Sequence, residues 1–434
     1  MLPGLGENHV VTATVPDLVP KAVVTRVDPD DVSVRKGRAD MATRLARAVR
    51  ARVVLPEESI DVPFEGHVLV LRPEACRWAV RHARAAKLPH NQARLVFQRE
   101  IVRALTQELV DRLESIVLTE TGEALDGGSA DGRLSAADLR GLEAAGVILG
   151  PDDDGPRTLL DETDKQALRD ALLVDVEALL DELWPPLAPA EVVAGVIGRD
   201  EWSVADIPLL DEAAALVGDG VPTFGHVVVD EAQELSEMDW RMLLRRCPTR
   251  SMTVVGDLGQ TGSPAGAVSW SHLVSARDRL AQLTVNYRTP AEIMAVAAGL
   301  LATHHPELRP PRSIRASGEE PWRRAAVELG DAVADVVAGH TDGQLAIIAP
   351  AVDQLAAALS LPVPPDLTGT VVLLTPTQAK GLEFDAVLIV DPARILAAPR
   401  GHNDLYVAMT RATRRLGVVH PGSAPAELSS LTVR

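Results

Sequence analysis

Two apolar runs that each stop at acidic residues constrain this chain more than anything else in it. The stretch HVVVDEAQELSEMDWRMLLRRCPTRSMTVVGDLGQ, residues 226–260, holds three valines, Val227–Val229, that end in Asp230-Glu231. A second run, residues 252–255, ends in Gly256-Asp257. Short β-branched runs bounded by polar residues predict buried strands. In open parallel sheets ligands gather beyond the carboxyl ends of the strands, so both sets of acids are predicted to face one crevice. That layout suits a nucleoside triphosphate. Asp230 would hold Mg²⁺ through its water shell, Glu231 would orient or deprotonate the attacking water, and Gln260 would reach the γ-phosphate. An isolated Asp-Glu pair reads better as a strand that merely ends in solvated acids, so the weight falls on the motifs downstream of Gln260.

The chain has 434 residues, enough for two to four domains, with 46% apolar and 24% charged residues, the composition of a globular protein. No apolar run reaches membrane-spanning length, and MLPGLGENHV lacks a basic segment followed by an apolar one, so no membrane association and a cytoplasmic location are predicted. Cys76 and Cys247 are too few for a disulfide framework or a cysteine metal site and read as ordinary thiols in a reducing compartment. The formal net charge of −18 repels phosphate backbones unless a local basic groove overrides it, which favours a basic protein partner over direct nucleic-acid binding.

Residues 10–24, with Pro16 and Pro20 interposed, read as the tail of a strand and a loop. From about Asp28 the character turns helical. Residues 92–112 place Leu95, Ile101, Val102, Leu105 and Leu109 on one side of an amphipathic helix. Residues 121–132 form a Gly-rich break, Ser135 with Asp138 opens a short helix that Gly146 closes, and residues 150–155 are an acidic loop. Thr163 with Gln166 is a capping-box pattern, followed by Leu168, Leu172, Leu173, Val176, Leu179, Leu180 and Leu183 at helical spacing until Pro185-Pro186. These leucines are predicted to be core. After Gly220, the runs QLAIIA (residues 344–349), VVLL (residues 371–374) and AVLIV (residues 386–390) alternate with helical stretches, the pattern of a parallel sheet.

Past Gln260, LTVNYRTPAEI sets Asn286, Tyr287 and Arg288 before Pro290, TPTQAKGLEFDAVLIVDP carries Lys380, Gly381, Glu383 and Asp385, and LYVAMTRATRRL carries Arg411. With these the chain resembles the UvrD/Rep-type superfamily 1 helicases, whose second to sixth motifs occur here in order. The resemblance implies an α/β fold of two RecA-like P-loop NTPase lobes, the first incomplete, with a mostly helical insertion in the first lobe. It implies ATP and Mg²⁺ as cofactors, Asp230 as the Mg²⁺ carboxylate, and Glu231, Gln260, Arg288 and Arg411 as catalytic residues. Tyr287 would stack on adenine, Gly381 and Glu383 would meet the ribose, and Asp257 would line the nucleotide site. An arginine supplied in cis at such a site is worth roughly 10³ or more in rate.

Departures narrow the resemblance. The family's phosphate-cradling G-x-x-x-x-G-K-[ST] loop is missing, because none of the five lysines (Lys21, Lys36, Lys87, Lys165 and Lys380) follows a glycine. Leu2-Pro3-Gly4-Leu5-Gly6-Glu7 resembles a segment that lies well after that loop in relatives, so the chain reads as the later part of a longer protein. Residues 261–269 carry none of the base-stacking aromatics of DNA-tracking relatives, the nearest being Trp270, and Thr377 stands where those relatives often have histidine. The stretches IPLLDEAA, HVVVDEAQELSEMDWRMLLRRCP, LTVNYRTPAEIM and AKGLEFDAVLIVDP resemble the HelD/HelR branch of RNA polymerase-associated ATPases. That branch implies a remnant of the first lobe at residues 1–26, a clamp-opening-like helical insertion at 27–216, the rest of the first lobe at 217–285 and a UvrD-like second lobe at 286–434. Only about ten residues separate Ala215 from His226, too few for the charged arm that family members insert there.

The leading expectation is therefore a monomeric ATP-dependent protein that binds and remodels or recycles RNA polymerase, with weak hydrolysis by this chain alone and weak or indirect contact with nucleic acid. The alternatives are a superfamily 1 DNA helicase or translocase, and a non-catalytic polymerase-binding module or gene remnant.

Overall fold

The computed structural model describes residues 10–114, 117–118, 124–125, 162–270 and 278–434. The chain divides into two compact units, one of Met1–Val27 with Asp40–Pro222, the other of Asp28–Ala39 with Thr223–Arg434. Among the described residues no helix is long and apolar enough to cross a membrane.

In the first unit, β1 (Ile60–Phe64) and β2 (His67–Leu71) form an antiparallel hairpin inside a stretch that the sequence reads as helical. Its two-residue turn, Glu65-Gly66, has positive φ at both positions (44° and 82°), the backbone that matches the twist of paired strands. The alternation buries Val62, Phe64, Leu69 and Leu71 against the helix His90–Glu114. Along that helix Phe97, Ile101, Leu105 and Leu109 recur every fourth residue and are all at most 2% exposed. Leu95 is 62% exposed, correcting its assignment to the apolar side, because it sits two residues, over half a turn, from the Phe97 row. Phe97 also packs on Trp184, ring centroids 5.2 Å apart. The leucine-rich segment forms two helices, Glu162–Asp175 and Glu177–Leu183, broken at Val176. Thr163 lies inside the first turn and not at the cap. Leu172, Leu180 and Leu183 are core as predicted, whereas Leu173 is exposed. Residues 10–24 contain a 3₁₀ turn, Pro16–Leu18, and one bridge from Val24 to Trp202, with no strand. Cys76 is buried in this core, which pushes its thiol up to about 11 and keeps it protonated. The Gly-rich break, the short helix from Ser135 and the acidic loop fall almost wholly outside the described residues. β3 (Val117–Leu118) and β4 (Ala124–Leu125) form a short antiparallel pair.

The second unit holds β5 (Val227–Val229) and β6 (Met252–Val254), parallel and joined through the helix Glu237–Arg246. Ser236 caps that helix: its hydroxyl accepts from Asp239 N at 3.2 Å, and Asp239 Oδ2 accepts from Ser236 N at 2.9 Å. Both strands form where the valine runs predict them. Their burial follows only in part: Val229 is buried (7%), whereas Val228 (57%) and Val254 (42%) are exposed on what is, among the described residues, a two-stranded sheet. β7 (Val285–Asn286) pairs in parallel with β8 (Arg312–Ser313).

The rest of the unit is built on a six-stranded sheet of β9 (Trp322–Ala325), β10 (Leu345–Ile348), β11 (Val371–Leu374), β12 (Phe384–Val390), β13 (Ala412–His420) and β14 (Thr432–Val433). They run in the order β11-β10-β12-β13-β9-β14, every pair parallel. Alternate residues serve opposite faces: Ala346, Ile348, Val387 and Ile389 join a core with the helices Ala291–His304 and Gly401–Thr410. Leu345, Ile347, Leu388 and Val390 join another with the helices Leu329–Ala338 and Asp353–Leu359. Coverage on both faces is why these strands are continuous apolar runs and not alternating ones.

Phe97→Ala removes the side chain at the centre of the first unit's core. We expect a loss of about 3–5 kcal/mol of stability, read as a shifted midpoint in urea unfolding of the full chain.

Candidate functional site

The site is assembled at the carboxyl ends of β5 and β6. Val255 N donates to Val229 O (2.8 Å) and Ala232 N to Val255 O (3.0 Å), holding the two strand ends together. Directly after β5 the chain turns through Glu231, whose φ of +48° is a left-handed conformation uncommon outside glycine. A non-glycine residue held there stores of order 1 kcal/mol or more, a cost found preferentially at functional positions. The turn aims the Glu231 carboxylate at Gln233, a fully buried side chain. Gln233 Nε2 donates to Glu231 Oε2 at 2.6 Å, and its Oε1 accepts from Asp257 N at 3.0 Å. Gly256 is required beside it. A Cβ there would lie 2.6 Å from Gln233 Oε1 and 2.8 Å from the Trp270 ring.

Asp257 continues the chain of bonds. Its Oδ1 accepts from Gly259 N and its Oδ2 from Gln260 Nε2, each at 2.9 Å. Gln260 Oε1 then accepts from Arg411 Nη2, also at 2.9 Å. One run of hydrogen bonds thus links Glu231, Gln233, Asp257, Gln260 and Arg411, although Gln260 and Arg411 are 151 residues apart.

Arg411 follows the helix Gly401–Thr410 and is 1% exposed. Its Nε donates to Val407 O (3.2 Å) and its Nη1 to Leu382 O (3.3 Å). Among the described residues no carboxylate forms an ion pair with it. Burial, followed by the charge of Arg288, pushes its pKa down to about 10, while Glu231 and Asp257 oppose the shift. The guanidinium therefore stays charged at neutral pH. Tyr406 lies in the same field: burial first, then the Asp257 charge, push its phenol above its usual range, against Arg411 and Arg288. Arg288 is half-buried, and the neighbouring Thr289 hydroxyl donates to Thr410 O at 3.4 Å. Two cations and two carboxylates thus act on one another here, Arg411 buried, Asp257 and Arg288 half-buried and Glu231 exposed.

A second set of contacts holds the loop after Gln260. Lys380 Nζ pairs with Glu234 Oε1 at 3.0 Å, and the Glu234 carboxylate accepts from Gly262 N and Ser263 N, each at 2.8 Å. Gly262 leaves room for that lysine, since a Cβ would stand 1.8 Å from its Nζ. Asn403 Nδ2 donates to Leu258 O (2.9 Å), and Arg400 Nη2 to Gly266 O (3.3 Å).

Of the residues singled out in the sequence, Glu231, Asp257, Gln260, Arg288 and Arg411 are brought into one electrostatic cluster. Asp230 is exposed at the end of β5, with Oδ1 accepting from Glu231 N at 2.9 Å, a position open to a hydrated cation. Tyr287 is 68% exposed, and Gly381 (φ +73°) and Glu383 are exposed on the loop before β12. Among the described residues no hydrogen bond or ion pair ties the side chains of Asp230, Tyr287 or Glu383 to Arg411. Gln233, Glu234, Lys380, Asn403 and Tyr406 carry contacts that the sequence did not single out. Gln233 had a signal, its place in the acidic turn, but the Glu234–Lys380 pair spans 146 residues and had none.

Residues 370–419, from β11 into β13, match the UvrD-like helicase C-terminal domain. No curated protein matches the chain. Among solved structures, the C-terminal domain of a possible DNA helicase from Lactobacillus plantarum is 22% identical, covering 34% of this chain and 98% of that one, with a TM-score of 0.28. Arterivirus nonstructural protein 10, a helicase, is 19% identical over 46% of this chain and 40% of its own, and the PRRSV helicase 16% identical over 46% and 35%, both with TM-scores of 0.28. This chain thus spans less than half the length of either viral protein, and at those TM-scores the likenesses do not bear on its fold or activity. What the comparisons do establish is a UvrD-like helicase C-terminal match over the part of the chain that contains Lys380, Gly381, Glu383 and Arg411.

Proposed function

We propose that this chain is a superfamily 1 helicase-type nucleotide-binding protein of the HelD/HelR-like branch, acting on RNA polymerase, with two RecA-like lobes contributing to one site for the terminal phosphates of ATP. The observation that carries the nucleotide reading is the buried Arg411 guanidinium bonded to Gln260 at the end of the Glu231–Gln233–Asp257 run. Arg288 and Arg411 would offset charge on the terminal phosphoryl, Gln260 would reach the γ-phosphate, and Glu231 would orient the attacking water and take its proton. The donor set fits the cofactor at one end only. Asp230 is an exposed carboxylate suited to outer-sphere Mg²⁺, which would screen the phosphate oxygens when bound. The sequence, however, supplies no glycine-lysine loop for the β-phosphate.

The partner reading rests on the HelD/HelR-like stretches, on the helix-rich unit that precedes β5, and on a net charge of −18 that favours a basic protein surface over a phosphate backbone. A DNA-tracking role has less support. Trp270, the nearest aromatic after Gln260, packs over Gly256 at the end of β6.

In a phosphate-release assay with Mg²⁺ and ATP, the chain alone turns over slowly, and Glu231→Gln lowers the rate at least tenfold, about 1.4 kcal/mol in barrier; fast turnover indifferent to Glu231→Gln contradicts the assignment of the base. Mixed with core RNA polymerase, the full chain co-elutes with it on size exclusion. Separate elution at micromolar concentration sets aside the polymerase-binding branch while leaving the nucleotide site standing.

A further inference from the structure

A second cluster of ligating groups lies on the opposite flank of the helix that precedes Arg411. His304 ends the helix Ala291–His304, His402 is the second residue of the helix Gly401–Thr410, and Glu427 lies in the 3₁₀ turn Ala426–Leu428. Each offers one ligand atom, and the three atoms lie within 4.8 Å of one another. The imidazoles of His304 and His402 face each other with centroids 3.3 Å apart and planes inclined by 32°. Among the described residues the buried His304 Nε2 has no hydrogen-bond partner, and Glu427 Oε1 stands 3.5 Å away. A buried imidazole nitrogen left in that state lacks a donor or acceptor that the fold does not otherwise provide.

We propose that His304, His402 and Glu427 form a binding site for a divalent transition metal of the zinc class, with three protein ligands and the remaining position left to water. Bonds of about 2.0–2.2 Å in a tetrahedral site place neighbouring ligand atoms about 3.3–3.6 Å apart; His304 Nε2 and Glu427 Oε1 already stand at 3.5 Å, and the His402 ring, stacked on His304, reaches the same point by a side-chain rotation that separates the two rings. Two imidazoles and a carboxylate are a borderline-soft set that selects Zn²⁺, Co²⁺ or Ni²⁺ over Mg²⁺ or Ca²⁺. The supporting elements are anchored, since Leu300, Leu301, Leu405 and Leu428 all belong to one core cluster. Next to the pair, His305 Nε2 lies 3.1 Å from Asn403 Oδ1, and Asn403 in turn holds Leu258 O. A metal here ties the helix that leads to Arg411 to the helix Ala291–His304 and to the turn Ala426–Leu428. The assignment stands on the histidines and Glu427 alone and does not depend on the nucleotide reading.

The test uses the full chain, stripped with a chelator and dialysed free of it, titrated with Zn²⁺ alone and separately with Co²⁺. The expected result is one ion per chain, a visible ligand-field absorption for Co²⁺, and a melting temperature raised by about 2–5 °C at saturating Zn²⁺. His402→Ala and Glu427→Gln, each checked for a native circular dichroism spectrum, weaken Zn²⁺ binding at least tenfold. Absence of stoichiometric binding, or an affinity unchanged in both variants, overturns the proposal.

Discussion

The candidate site depends on a buried positive charge that, among the described residues, has no carboxylate in an ion pair with it. Arg411 is 1% exposed, and its guanidinium is held by two backbone carbonyls and the Gln260 amide oxygen. A charge removed from water needs such bonds, each worth about 1.5–3 kcal/mol when one partner is ionised. The acceptors come from the helix before Arg411, the loop before β12 and the turn after β6. Three separate parts of the unit are therefore committed to one another by a single side chain. Because the acceptors are neutral, the positive charge is stabilised without being cancelled, and Arg288 adds to it.

The acids answer that charge from the other side. Glu231 is turned back by its left-handed backbone into the amide of Gln233, and Asp257 is occupied by Gly259 N and the Gln260 amide. The run passes from side chain to backbone at Asp257 N and back to side chain at its carboxylate, so Glu231 and Gln260 are linked without direct contact. Gly256 and Gly262 make this possible by leaving space for Gln233, Trp270 and Lys380. The loop holding Gln260 is pinned independently through Glu234, Asn403 and Arg400. Such redundancy fixes the position of the Gln260 amide beside Arg411.

How much of this was legible depended on range. β10, β11 and β12 were readable because strands covered on both faces are unbroken apolar runs, and LAII, VVLL and FDAVLIV are such runs. β9 (WRRA) and the first half of β13 (ATRRLGVVH) carry arginines, and in the absence of an apolar run they did not read as strands. The close fit of Trp322 over Gly417, where a Cβ would lie 2.4 Å from the ring, is a pairing between distant strands that local pattern cannot reveal. The β1–β2 hairpin was hidden for another reason: its turn uses Glu65 at positive φ, not one of the usual turn pairs. In the site, residues at strand ends were legible because a strand stop is a local signal. Gln233 was obscured by the acids beside it, and Lys380 with Glu234 by their separation along the chain.

The most direct measurement of the central claim is calorimetric titration of the full chain with Mg²⁺-ATP and, separately, with Mg²⁺-ADP. If Arg411, Arg288 and Gln260 surround the terminal phosphate, ATP binds at least tenfold more tightly than ADP, about 1.4 kcal/mol, and Gln260→Ala removes the difference. Equal affinities for the two nucleotides, or a preference that survives Gln260→Ala, contradict the account.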